Sequence, residues 1–495
     1  MAKSSEPPWS PGPGEFERVI RDQNPWWVNG KVPDAWAKPV TRALARLLPE
    51  RLRVDHPHRY QLILGPRRVG KTTVMYQVVR ELIADGVHPR NITWLRLDHP
   101  LLSEVSLGSL VRSSMKSGAS ADNPTYLFLD EITYADKWDL WLKTFYDETW
   151  PVRIVATSSS TAALRNRILE SGVGRWSEQY LAPYLFPEFL DLTGSRVHIP
   201  RGETLKETLQ ACLDDPPQSM GLERKRHRFI LTGGFPELLL LGSHEEEDDS
   251  TILLNSQRSL RDEAVERAIY KDIPQAFTID NPKLLERILS TLAGQCTGLI
   301  SPQNICQSLG NLTQPTFDRY LSYLERAFLV FTLASYAGNE ASKQRRGRKV
   351  YFVDGAVRNA ALLRGLSPLS DATEMGMLVE NMVAAHLHAL SEVGQTRLYH
   401  WRDDKKNEVD LIHDHPEHPL AFEVGASADH HRRGLVALME RFPKFRGGCY
   451  LVAPDVTPAR PEDRPDGVGT LPVDLLLLAV GEQAAAELRK RLGGG

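Results

Sequence analysis

Gln61-Leu-Ile-Leu-Gly-Pro-Arg-Arg-Val-Gly-Lys-Thr-Thr73 is the stretch whose reading decides the fold. Leu62, Ile63 and Leu64 form the short apolar run expected of a buried parallel strand. Gly65–Thr72 then fits G-x-x-x-x-G-K-[ST], and a helix-like run, Thr73–Ile83, follows at once. Strand, glycine-rich turn and helix start are the context that gives this pattern meaning as a phosphate-binding loop. Gly65 and Gly70 let the backbone bend so that its N–H groups point at phosphate oxygens. The dipole of the following helix favours the same negative charge. Gly65, Pro66, Arg67, Arg68, Val69 and Gly70, with Lys71, Thr72 and Thr73, are thus the expected cradle for ATP. Lys71 reaches the β- and γ-phosphates, and the Thr72 hydroxyl ligates Mg²⁺.

Outward from the loop, Ile92–Leu97 reads as a second strand, with Asp98 and His99 at the end where ligands of such sheets lie. Thr125-Tyr-Leu-Phe-Leu-Asp-Glu131 is an apolar strand ending in two acids. Asp130 is expected to hold Mg²⁺ and Glu131 to polarise the attacking water. A further strand, Val152–Ala156, leads into Thr157-Ser-Ser-Ser-Thr161. A polar residue at that tip is placed to sense the γ-phosphate. Ser158 is the first choice and Ser159 the alternative, against a plain serine cap for a helix over 162–169. Arg175, after Gly174, is either a finger against the phosphates or half of a structural ion pair.

The 495 residues leave room for about three domains. Sixty Lys and Arg against 63 Asp and Glu give a net charge of −3, so any attraction to nucleic acid must be local. The four cysteines lie far apart, without a C-x-x-C pair, which argues against a zinc site or disulfide framework and fits a reducing cytoplasm. No apolar run reaches the ~20 residues of a membrane span. The longest, Leu471–Val480, contains Pro472 and Asp474. Met1–Gly14 lacks the apolar core of a signal peptide. The paired Trp26 and Trp27 are expected to clamp their segment onto the ATPase domain.

Further on, Gly233-Gly-Phe-Pro-Glu237 marks a tight turn and Ser259–Ile273 a charged helix. Leu284–Ala293, a helix capped by Ser301, and one opening at Thr313 precede strands Val330–Ser335 and Lys349–Val353. This is a winged helix-turn-helix pattern with a basic tip: Lys343, Arg345, Arg346, Arg348 and Lys349. It reads as contact with nucleic acid or, alternatively, as a protein-docking module with a solvated loop. Helix Gly376–Leu390 carries Glu380, the strand pair His400–Ile412 carries Asp410, and the strand Ala421–Gly425 carries Glu423.

With these residues in view, the chain resembles prokaryotic P-loop ATPases of the AAA+ class fused to a winged helix and a C-terminal domain similar in fold to PD-(D/E)xK nucleases. The marks, over residues 16–455, are Asn24-Pro-Trp-Trp27, Gly65–Thr72, Leu129-Asp-Glu131, Gly174-Arg175, Gly233–Glu237, Tyr351-Phe-Val-Asp354, Glu380-Asn381, Tyr399-His-Trp-Arg402 with Glu408-Val-Asp410, and Phe422-Glu-Val424. The resemblance implies ATP and Mg²⁺. It also implies an α/β fold: a P-loop NTPase parallel sheet, then a winged helix, then a small α/β nuclease-like domain. The expected organisation is a disordered tail over 1–15, the ATPase domain over 16–240, a helical linker over 241–280, the winged helix over 281–355, the nuclease-like domain over 356–455 and a C-terminal tail over 456–495. Glu380, Asp410 and Glu423 are the implied metal carboxylates. The lysine that the pattern wants two positions after Glu423 is replaced by Gly425, which puts cleavage in doubt, and Lys405 or Lys406 of the hairpin is the substitute within reach. The reading is an ATP-hydrolysing switch with a non-cleaving nuclease-like domain. The rivals are an ATP-gated nuclease and a binding module that ATP merely locks. A protein partner and a homo-oligomer are further expectations.

Overall fold

The computed structural model describes residues 13–54, 58–115, 118–160, 163–164, 174–217, 221–240, 249–279, 281–310, 312–337, 347–427 and 430–493. The chain forms two compact units, one of Met1–Leu64 with Lys71–Gln179, the other of Gly65–Gly70 with Tyr180–Gly495. The boundary therefore falls near residue 180, earlier than the expected 240.

The first unit is built on strands β1 (Tyr60–Leu64), β2 (Ile92–Arg96), β3 (Thr125–Asp130), β4 (Val152–Thr157) and β5 (Trp176–Tyr180). They lie in the order β2-β3-β4-β1-β5, with the β2–β3, β3–β4 and β4–β1 pairs parallel. Every residue of β1, β3 and β4 is buried, which is why Leu62–Leu64, Tyr126–Leu129 and Ile154–Ala156 within them read as apolar runs. β4 separates the loop-bearing β1 from the acid-bearing β3, so its serine tip lies between their C-terminal ends. The tryptophan pair clamps as expected, both indole N–H groups donating to the Ile92 carbonyl, Trp26 at 3.1 Å and Trp27 at 2.8 Å.

In the second unit, helices Pro282–Gly294, Pro302–Ser308 and Gln314–Arg326 precede an antiparallel pair, β6 (Val330–Leu333) and β7 (Lys349–Phe352). Leu299 adds an antiparallel bridge to Lys349. A long helix, Ala372–Gly394, leads to β8 (Arg397–Arg402), β9 (Glu408–Asp414), β10 (Leu420–Val424), β11 (Cys449–Ala453) and β12 (Gly469–Pro472). Their order is β12-β11-β10-β9-β8, antiparallel from β8 to β10 and parallel from β10 to β12.

The expected tail, 456–495, is instead part of this unit. It contributes β12 and a 20-residue helix, Val473–Leu492. Pro472 and Asp474, noted in the sequence only against a membrane span, are helix-start signals: Pro472 precedes the first turn and Asp474 lies within it. Leu475 to Val480 are all buried, so this first part of the helix shows no polar stripe to betray its period. Among the described residues no helix is long and apolar enough to cross a membrane.

Candidate functional site

The loop between β1 and the helix Lys71–Ala84 needs both of its glycines. A Cβ on Gly65 would lie 2.3 Å from the Leu181 carbonyl oxygen, and Gly70 has φ +91°. Lys71 and Thr72 open the helix. The Thr72 hydroxyl lies 3.2 and 3.3 Å from the two oxygens of Asp130 at the end of β3. Burial, then the Glu131 charge, lifts the Asp130 carboxyl to about 7. An accessible hydroxyl beside a buried carboxylate is a donor set that fits Mg²⁺.

Glu131 follows in the left-handed region, φ 55° and ψ 45°, a rare conformation for a side-chain-bearing residue and one that collects at functional sites. Ser159 donates to Glu131 Oε2 from both its backbone N–H and its hydroxyl, each at 2.9 Å. Ser158, the first sequence choice, is fully buried, reaches the same oxygen at 3.4 Å and is bound by Thr133 Oγ1 at 2.6 Å. Of the two serines, the partly exposed Ser159 makes the shorter contacts to Glu131. Periodicity could not separate two neighbouring serines, and Thr133 left no sequence signal.

Arg175 is not brought to this site. Its carbonyl accepts from the N–H of Tyr60, the first residue of β1, whereas the loop follows Leu64 at the other end, roughly 15 Å away at strand rise. Its guanidinium pairs with both oxygens of Asp147, at 2.8 and 3.1 Å. The Arg175 guanidinium is thus engaged in an ion pair at the end of β1 opposite the loop.

The loop arginines have partners that the sequence did not suggest. Arg67 forms a bidentate ion pair with buried Asp272, and Arg68, itself at φ 67°, pairs with Glu237 and Glu263. Glu263 lies in the π-helical stretch Arg261–Glu266 and Asp272 in a second one, Ala268–Asp272. π-Helical turns are rare and frequently lie at functional sites. Glu237 closes the Gly233–Glu237 turn, where Gly234 N–H donates to the Asp354 carboxylate at 2.7 Å.

In the C-terminal part, Glu380, Asp410 and Glu423 do come close, but not as metal ligands. Among the described residues no group of three or more His, Cys, Asp or Glu side chains is arranged to hold a metal ion. The Lys349 ammonium lies 2.7 Å from Asp410 Oδ1, 2.7 Å from Glu408 Oε1 and 3.6 Å from Glu380 Oε1. Asp410 Oδ2 accepts from Val424 N–H at 3.0 Å, and Tyr351 O–H donates to Glu380 at 2.8 Å. Burial opposes the Lys349 charge, but Asp410, Glu380 and Glu408 outweigh it and raise the pKa. Burial, then Asp410, pushes the Glu380 and Glu423 carboxyls up.

This overturns two sequence expectations. Lys349, counted as a wing cation for phosphate, is buried, and Arg348 is paired with Asp318. Lys343, Arg345 and Arg346 lie outside the described residues. Lys405 and Lys406 are exposed, and the lysine that meets these carboxylates is Lys349 of β7. Gly425 has no room for one, because a Cβ there would stand 2.5 Å from His430 Cβ, and the His430 imidazole meets Glu423 at 3.3 Å. Around this cluster, His400 Nε2 faces the Gly347 carbonyl at 2.9 Å and Arg402 faces Glu408 at 3.9 Å.

Comparison with known proteins supports the first part of this picture. Residues 57–190 match a family described as an AAA domain. This part of the chain is an AAA-type P-loop ATPase domain. Residues 223–369 and 375–463 match two domains of unknown function, DUF8612 and DUF4143. Two uncharacterized proteins of Methanocaldococcus jannaschii are 25% identical over 360 residues (72% of either chain) and 27% identical over 400 residues (78% of this chain, 79% of the relative). An uncharacterized protein of Haemophilus influenzae is 23% identical over 310 residues, 61% of this chain and 69% of its own. Among solved structures, a Walker-type ATPase of Pyrococcus abyssi aligns with TM-score 0.40 at 13% identity, covering 64% of this chain and 94% of that one. The Orc1 protein of Aeropyrum pernix, solved in complex with DNA, aligns at 0.26 and 16%, covering 68% and 95%.

Proposed function

We propose that this protein is an ATP-hydrolysing switch in which the state of the phosphate loop is coupled to the helical segment Asp249–Ala276. The observation that carries the reading is the pairing of Arg67 with Asp272 and of Arg68 with Glu237 and Glu263. A loop whose shape depends on those ion pairs cannot change its shape without a change in their energy, and the coupling is reciprocal.

In the hydrolytic step, Lys71 binds the β- and γ-phosphates and Thr72 and Asp130 would hold Mg²⁺. The bound ion neutralises charge that develops on the phosphates. Glu131, oriented by Ser159, takes the proton of the attacking water. Lys71→Ala abolishes ATP binding on this account. Glu131→Gln keeps it and loses phosphate release, because an amide is not a base; wild-type phosphate release from that variant would refute the assignment.

The three helices and the β6–β7 pair with its Leu299 bridge support a winged-helix reading of 281–355. With Lys349 and Arg348 committed internally, we read it as a docking module for protein rather than nucleic acid. Beside it, the sheet β8–β12 with the helix bearing Glu380 supports a nuclease-like domain that does not cleave.

A further inference from the structure

β7 sends two side chains to one side of its strand, Lys349 and Tyr351, two residues apart. Both end on carboxylates. The Lys349 ammonium meets Asp410 and Glu408 at 2.7 Å each and Glu380 at 3.6 Å, and Tyr351 O–H meets Glu380 at 2.8 Å. Glu408 and Asp410 are likewise two apart on β9 and so share a face. The Lys349 side chain is 4% exposed, Asp410 11% and Glu380 14%. Charges this dry persist only when paired. Three acids drawn from a helix and one strand would repel one another without a cation among them. One is there already, covalently attached to the chain.

We propose that Lys349 is a built-in counter-cation, filling the position a divalent metal would take among Glu380, Glu408 and Asp410 and thereby keeping that site closed to metal. The lysine is the same ammonium that a nuclease-like motif would place at position 425, but it arrives from β7. There it sits against the carboxylates themselves, so the ion and the lysine exclude each other. His430 closes the other approach by occupying the space beside Gly425 and binding Glu423. This deepens the non-cleaving reading of the domain, and its test follows metal occupancy rather than cleavage, so the two fail separately.

The test is a Mn²⁺ titration of nucleotide-free full-length protein, read by electron paramagnetic resonance and by thermal melting. Wild type and Asp410→Asn are expected to take up equal Mn²⁺, because neither offers this site. Lys349→Met is expected to bind one Mn²⁺ more than wild type and to melt about 5 °C higher with saturating Mn²⁺ than without. That gain is expected to vanish in Lys349→Met/Asp410→Asn. If Lys349→Met does not fold in buffer, the charge-free Lys349→Met/Glu380→Gln/Glu408→Gln/Asp410→Asn variant is expected to fold, since the cation and all three partners leave together. Wild-type Mn²⁺ uptake that Asp410→Asn removes would overturn the proposal. So would a folded Lys349→Met that takes up no additional Mn²⁺, or a charge-free variant that unfolds with the single one.

Discussion

Asp272→Asn isolates the coupling between the phosphate loop and the helical segment. Asp272 is 4% exposed and its partner Arg67 13%, so the pair is nearly dry. Removing one partner of a buried pair costs about 3–5 kcal/mol; with Arg67 retaining some solvent, about 3 kcal/mol is expected. The Arg68–Glu263 pair, at 33% and 27%, lies in the wetter regime, where Glu263→Gln costs about 1 kcal/mol or less. The functional consequence follows from ordering. A loop released from Asp272 must be fixed again when phosphate binds, and fixing one residue costs about 1–2 kcal/mol, a five- to thirty-fold weaker ATP affinity. Nucleotide titration calorimetry beside urea unfolding reads both quantities. Wild-type affinity in a destabilised Asp272→Asn would refute the idea that this pair pre-shapes the loop. Equal losses in Asp272→Asn and Glu263→Gln would refute the argument from burial.

Arg175→Ala is expected to lower the melting temperature through the lost Asp147 pair while phosphate release per folded molecule stays at the wild-type rate; a thousand-fold loss of turnover would reinstate a finger acting on another copy. His386, held by Phe186 N–H and the Met382 carbonyl, is kept neutral by burial, with its pKa lowered to about 4. Between that value and about 6.5 the unfolded chain binds the extra proton, so stability is complete above pH 6.5 and declines as pH falls. At pH 5.5 the loss is about 1.4 kcal/mol for this residue, with His400 and His413 shifted in the same direction. Urea unfolding at pH 7.5 and 5.5 reads it, and a His386→Gln variant should lose less than wild type over that interval.

Local chemistry made the ATPase domain legible. The loop, the two acids of β3 and the serine tip of β4 each combine a strand period with a turn or polar terminus, and the structure brings Thr72 to Asp130 and, rather than the first-choice Ser158, Ser159 closest to Glu131. What sequence hid was long-range partnership. Arg67 and Asp272 stand 205 positions apart, and Lys349 and Asp410 61 apart. A lysine in a run of basic residues reads as solvated, and nothing local says that β7 turns it inward. The final helix was obscured for a different reason: its buried leucines give no periodic stripe, and its Pro472 and Asp474 lie where a start and a break look alike.

The central claim is that nucleotide at the loop is felt by Asp249–Ala276. Amide hydrogen exchange over that segment, with and without ATP and Mg²⁺, tests it most directly, with Lys71→Ala as the nucleotide-blind control. The account predicts a change in protection at Arg261–Asp272 on ATP addition to Glu131→Gln, where hydrolysis is blocked, and no change in Lys71→Ala. Identical protection with and without ATP in Glu131→Gln, at concentrations where calorimetry shows the nucleotide bound, would contradict it.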